Sequence, residues 1–152
     1  MASVFRIEEK LIKHVLSFYH YSTLPLLNNK IILHFNSLEL KQQSIFIPVS
    51  LQIPGVGKSI TRYLIIKQLT VHQNLITGKI TLGNDIGESL DGFIVNLILP
   101  AFKTYIQEHI PIDFNPAGFS LNYDDLAKKF KLPKLFIEDL IIDEKGINFI
   151  IQ

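Results

Sequence analysis

The sequence contains no cysteine, which removes disulfides, thiolate zinc sites, thiol nucleophiles and S-palmitoylation from consideration. Charge is scarce too: 19% of the residues are Asp, Glu, Lys or Arg, against about 25% in an average soluble domain. Its 15 basic residues are balanced by 14 acidic ones, so the basic footprint of a nucleic-acid binder is missing. The longest apolar stretch, Phe93 to Phe102, is interrupted by Asn96 and Pro100 and reaches about half of the ~20 residues a spanning helix needs. No signal peptide is expected, because Phe5-Arg6-Ile7-Glu8-Glu9 carries charge where an apolar core segment would begin.

What the chain has in excess is apolar surface. Of its 152 residues 47% are hydrophobic, and the mean hydropathy is +0.26. That excludes disorder. A single domain of this length buries roughly 68–70% of its unfolded surface and needs no metal or cross-link to fold. The surplus apolar surface therefore faces the interior or something the protein binds.

One apolar spacing occurs three times. It runs Leu33, Phe35, Leu38, Leu40, Ile45, Ile47, Val49; then Leu64, Ile66, Leu69, Val71, Ile76, Gly78, Ile80; then Leu135, Ile137, Leu140, Ile142, Ile147, Phe149, Ile151. All three share offsets 0, 2, 5, 7, 12, 14 and 16, and only Gly78 is not apolar in the usual sense. Period-two alternation marks a strand with one buried face. The step of three breaks that phase, and a β-bulge restores it. Four turn-compatible residues separate the arms: Lys41–Ser44, His72–Leu75 and Asp143–Gly146. Each copy thus predicts a bulged hairpin, and Pro48, which cannot donate to a ladder, predicts an edge or a bulge.

Helices are expected elsewhere. Glu8 to Phe18 is amphipathic, and Asn122 is a candidate N-cap for a helix with Asp124 and Asp125 in its first turn and Lys128 and Lys129 in its last. The longest candidate runs from about Asp85 to Glu108, with Asp85 and Glu88 matching a capping box. Its apolar residues cover about 240° of the circumference, far more than the ~100° stripe of a helix resting on a sheet, so this helix is predicted to be wrapped, with a kink at Pro100.

The expected fold is therefore α+β: a strongly curved antiparallel sheet of about six strands (three bulged hairpins) wrapped around one long central helix, with two shorter helices. One domain, 1–152, holds hairpins at about 30–53, 62–82 and 134–152 and the long helix at about 85–108. This order of elements resembles the tubular lipid-binding (TULIP) superfamily, and within it the small bacterial YceB-like envelope lipoproteins. The residues that carry the resemblance are Phe5-Arg6-Ile7-Glu8-Glu9-Lys10-Leu11, Ile98-Leu99-Pro100-Ala101-Phe102, Leu126-Ala127-Lys128-Lys129 and the closing Ile150-Ile151. The resemblance implies non-enzymatic binding of a lipid or another long apolar ligand between helix and sheet, and an envelope or periplasmic setting. No lipobox cysteine is present, so the lipoprotein anchor is missing or was removed.

Catalytic signatures are weak. Gly55-Val56-Gly57-Lys58-Ser59 imitates the end of a P-loop, but Gln52 occupies the position of the required first glycine, and β-rich Ile60–Ile66 follows. A turn at Pro54-Gly55 accounts for it. Histidines 14, 20, 34, 72 and 109 show no i, i+4 pair for a metal. The acidic pairs fall at expected helix starts and hairpin tips, away from any cleft that would drive their pKa values apart. No nucleophile elbow or dinucleotide fingerprint occurs. No cofactor, metal or catalytic residue is assigned.

The residues expected to line a ligand site are Phe93, Leu97, Ala101 and Tyr105 on the long helix, with Leu33, Phe35, Ile66 and Ile137 from the strands. A second group, Lys128, Lys129, Phe130 and Lys131, reads either as a solvated helix end or as a contact for anionic lipid headgroups. The alternative to a ligand carrier is an adaptor or assembly protein with a filled core, recruiting partners through exposed strand edges.

Overall fold

The computed structural model describes residues 3–16, 22–24, 31–34, 37–52, 59–84 and 93–152; for 15–16, 22–24, 51–52, 59–60 and 93–98 only the backbone is described. Among these residues the chain forms β1 (Ser3–Glu8), α1 (Glu9–Leu16), β2 (Ser22–Leu24), β3 (Ile31–Leu33), β4 (Glu39–Lys41), β5 (Ser44–Gln52), β6 (Ser59–His72) and β7 (Leu75–Gly83). It continues through α2 (Phe93–His109), β8 (Ile112–Asn115), β9 (Gly118–Asn122), α3 (Tyr123–Phe130), β10 (Ile137–Asp143) and β11 (Gly146–Ile151). Eight strands make one antiparallel sheet in the order β2-β3-β5-β6-β7-β9-β8, with β4 also on β5. That sheet curls into a half-barrel. The remaining three form a second sheet, β1-β11-β10.

The repeated spacing has a direct structural meaning. Leu40 pairs with Ile45, Val71 with Ile76 and Ile142 with Ile147, all at offsets 7 and 12 of the repeat. The turns between the arms hold two residues rather than four: Gln42-Gln43, Gln73-Asn74 and Glu144-Lys145. The register slips between Lys67 and Thr70, and again between Ile137 and Asp139, where the step of three falls. In the first copy the interruption is larger. There β3 and β4 both pair with β5, and Pro48 lies opposite the gap between them. Its missing N–H is thereby tolerated on a strand that is not an edge, and its carbonyl accepts a hydrogen bond from His34 N at 2.9 Å.

Gly78, the one departure from the repeat, has a steric cause. A Cβ there would lie 2.8 Å from Cζ of Phe119, whose ring on the neighbouring strand fills the place of the absent side chain. Most repeat positions then converge on one core, including Leu33, Leu40, Val49, Leu64, Leu69 and Ile142. Ile137 instead joins a smaller cluster with Tyr123 and Ala127 beneath α3.

The expectation of a sheet wrapped around a long central helix is overturned. The protein is mostly β, with eight strands in the curled sheet and three in another, and its helices are short. Residues 85–92 of the expected helix lie outside the described residues, and α2 has 17 residues. It is not enclosed. Phe102 is buried and Leu99, Ala101, Tyr105 and Ile106 are half-buried, while Pro100, Thr104, Gln107 and Glu108 face solvent. Over this stretch α2 buries one stripe against the sheet, the ordinary amphipathic arrangement. The P-loop imitation fails as well: Ser59 opens β6, not a helix.

Turn side chains tie the two sheets together. Gln43 donates from Nε2 to the carbonyls of Leu69 (2.9 Å) and Leu140 (3.0 Å), and its Oε1 accepts from Ile142 N at 2.7 Å. Asn74, at the same repeat position one copy later, donates to Leu135 O (2.8 Å) and Asp124 Oδ1 (2.9 Å) and accepts from Ile137 N (2.7 Å). Both turns therefore hold the β10 segment.

The third turn is held by a carboxylate. The Lys145 backbone N–H holds Asp143 below its ordinary value of 3.8, aided by the Gly146 N–H, the Arg6 charge and the Asn148 amide, against a smaller opposing effect of enclosure. A lowered folded-state pKa means stability that is present above 3.8 and lost as pH falls through the folded value. Asp143→Asn is thus expected to melt earlier than wild type at neutral pH and to converge with it in acid, once pH falls below the folded-state value. Thermal melts at the two pH values check this.

Candidate functional site

The stripe that α2 turns inward is spaced Phe102, Tyr105, Ile106, His109, the i, i+3, i+4, i+7 pattern of one helical face. It does not close completely onto the sheet. Between them lies a cavity of about 400 Å³, walled on the strand side by Ile45, Ile47 and Ile66. Ile45 and Ile66 are directly opposed across β5 and β6, so their side chains share the concave face. Ile12 of α1 and Phe130 of α3 complete the wall, with Leu38 and Ile110.

The lining is aliphatic and aromatic apart from two groups, the Tyr105 hydroxyl and the His109 imidazole. The two rings meet at a 39° tilt with centroids 4.6 Å apart. Nδ1 of His109 is 2.7 Å from the Tyr105 carbonyl; a carbonyl only accepts, so Nδ1 donates to it and Nε2 is left for another partner. Tyr105 and His109, one helical turn apart, are thus the two residues of this wall whose side chains carry polar atoms. Lys129 donates from Nζ to His109 O at 2.9 Å, fastening the end of α3 to the end of α2.

Of the residues expected to line a ligand site, Tyr105 and Ile66 lie in this wall. Ala101 is half-buried against the core, and Leu33 is fully buried within it. Ile137 belongs to the separate cluster under α3. Phe35 and the side chains of Phe93 and Leu97 lie outside the described residues. Phe130, read from sequence as a surface contact, is both a wall of the cavity and 49% exposed. Lys128, Lys129 and Lys131 are exposed beside it. The sequence does not single out Ile12, Leu38, Ile45, Ile47, Phe102, Ile106, His109 or Ile110 as lining residues. The stripe on α2 was the available signal for His109.

Two other hollows have a different character. One of about 270 Å³ lies beside the β6 bulge among Gln68, Lys79 and Asn115. Another, about 530 Å³, is lined by Arg6, Lys10 and Lys13 together with Glu8, Glu9 and Glu144. Among the described residues no cluster of three or more His, Asp or Glu could hold a metal, and no helix is long and apolar enough to cross a membrane. No family model matches the sequence, and neither a curated protein nor a solved structure matches it.

Proposed function

We propose that this protein binds, without catalysis, a lipid or another long apolar molecule in the cavity between α2 and the curled sheet. The observation that carries the reading is the chemistry of that wall: isoleucine, leucine and phenylalanine around about 400 Å³, with polar groups only at Tyr105 and His109. Small-molecule sites commonly span about 300–1,000 Å³ and combine apolar walls with a few polar groups that fix orientation. This one lies at the small end, which favours one acyl chain over a multi-chain lipid. A carboxylic acid or hydroxyl terminus would find its partners in Tyr105 Oη and His109 Nε2. The resemblance to tubular lipid-binding proteins supports the same ligand class; it does not extend to a helix enclosed by the sheet.

The test is native mass spectrometry of the purified protein together with titration of a fluorescent fatty acid. Wild type is expected to take up the probe, and Ile106→Trp, which fills the cavity from the helix side, to weaken uptake at least about tenfold. Circular dichroism of the variant shows that the fold is retained. A variant that takes up probe as well as wild type, or a wild type that takes up none, removes the cavity from the account.

A further inference from the structure

The cavity mouth adjoins the most basic segment of the chain. Lys128, Lys129, Lys131 and Lys134 fall within seven residues that contain no acidic side chain, in a protein whose net charge is only +1. Among the described residues none of the four ammonium groups is within ion-pair distance of a carboxylate. Two large apolar side chains interrupt the lysines, Phe130 at 49% and Leu132 at 43% exposure. Such exposure costs free energy in water, and the local fold maintains it: Lys131 takes a left-handed conformation (φ 55°) and its N–H bonds to Ala127 O, as does that of Leu132 (2.8 Å), which ends α3 there. Tyr123 Oη then holds Pro133 O at 2.8 Å. The segment is built, and it is fixed to the cavity rim through the Lys129–His109 hydrogen bond.

From this juxtaposition we infer that the end of α3, Lys128 to Lys134, docks on an anionic lipid bilayer and opens the cavity toward it, so that Phe130 is at once cavity wall and membrane contact. Four lysines match the negative potential of such a surface, and apolar side chains between them match the acyl boundary below the headgroups. The inference rests on the apolar-ligand reading for what is exchanged, and adds where the ligand comes from. A molecule leaving the bilayer would pass Phe130 and reach Ile66 and Tyr105 without crossing bulk water.

The experiment uses the whole chain and vesicles of phosphatidylserine and phosphatidylcholine in equal parts, with pure phosphatidylcholine as comparison. Each lysine near an anionic surface strengthens partitioning about fivefold. The triple variant Lys128→Gln, Lys131→Gln, Lys134→Gln is therefore expected to bind the mixed vesicles about a hundredfold more weakly. Lys129 is kept, so the fastening to His109 survives, and fatty-acid probe uptake in solution stays at the wild-type level. The chain has no tryptophan, so Leu132→Trp supplies a single reporter, whose emission should shift to the blue on mixed vesicles and not on phosphatidylcholine. Equal binding to both vesicles, an unaffected triple variant or an unshifted reporter each overturns the inference. Loss of probe uptake in wild type instead fells the cavity reading, a separate result.

Discussion

Asn74→Ala is expected to cost about 3–5 kcal/mol, a large share of the ~5–15 kcal/mol that holds a domain together. The Asn74 amide makes three hydrogen bonds, and two go to the backbone of the segment leading into β10, at Leu135 O and Ile137 N. Ile137 is 1% exposed, so water does not replace the lost acceptor. An unsatisfied buried group costs about 1–3 kcal/mol. Asn74 also has φ 62°, a left-handed conformation that asparagine accepts and alanine resists by about 1–2 kcal/mol. The two contributions separate experimentally. Asn74→Gly removes the amide but suits the backbone, and should recover only the smaller part of the loss in a denaturant titration. Hydrogen exchange at the Ile137 amide should accelerate in both variants. Full recovery by glycine would mean that the turn's backbone, not the side-chain clamp, is what matters.

The clamp also shows which parts of this architecture a sequence can disclose. Spacing reports which residues share a face, so the pairings Val71–Ile76 and Ile142–Ile147 and the slip near Gln68 are all written in the positions of apolar residues. Asn122 is equally legible: its Oδ1 accepts from Asp124 N and Asp125 N as an N-cap should. Long-range pairing leaves no such trace. Arg6 of β1 meets Asn148 of β11 across 142 positions, and nothing local to Phe5-Arg6-Ile7 announces that partner. Strand β8 is four residues with prolines at 111 and 116 on either side, too short for alternation to stand out. The expectation of a wrapped helix fails because apolar composition is not the same as burial. Apolar residues are routinely exposed, and in α2 the exposed row Pro100, Thr104, Gln107, Glu108 defines a solvent face. The cavity is illegible for a related reason. Its wall draws two residues from β5, four from α2 and one each from α1, β6 and α3, so only the tertiary fold assembles it, although Ile66 and Tyr105 fall on the buried faces that periodicity identifies.

Gly118→Ala should do comparable harm by a different route, and the damage should reach the cavity. Gly118 has φ 146°, a conformation L-residues avoid, and a Cβ there would stand 2.1 Å from the carbonyl oxygen of Gly78. Backbone strain of about 1–3 kcal/mol adds to about 1–3 kcal/mol of overpacking, a fall in melting temperature of about 10 °C for a chain of this length. The obstacle is backbone, which cannot rotate away; relief requires β9 to separate from β7. That movement would break the pairs Gly78–Phe119, Thr77–Ser120, Ile76–Leu121 and Leu75–Asn122. Asn122 caps α3, and α3 carries Phe130 to the cavity mouth, so the strand's displacement propagates to the proposed ligand entrance. Gly78→Ala makes the instructive contrast. Its new methyl meets the far end of the Phe119 ring, not backbone, so its cost should be about 1–2 kcal/mol and should shrink when Phe119→Leu is added. If Gly118→Ala melts with wild type while Gly78→Ala does not, the closeness of β7 and β9 is not the constraint argued for. If Gly118→Ala alone is crippled and also loses fatty-acid uptake, the β9 strand is what holds the α3 lip in place.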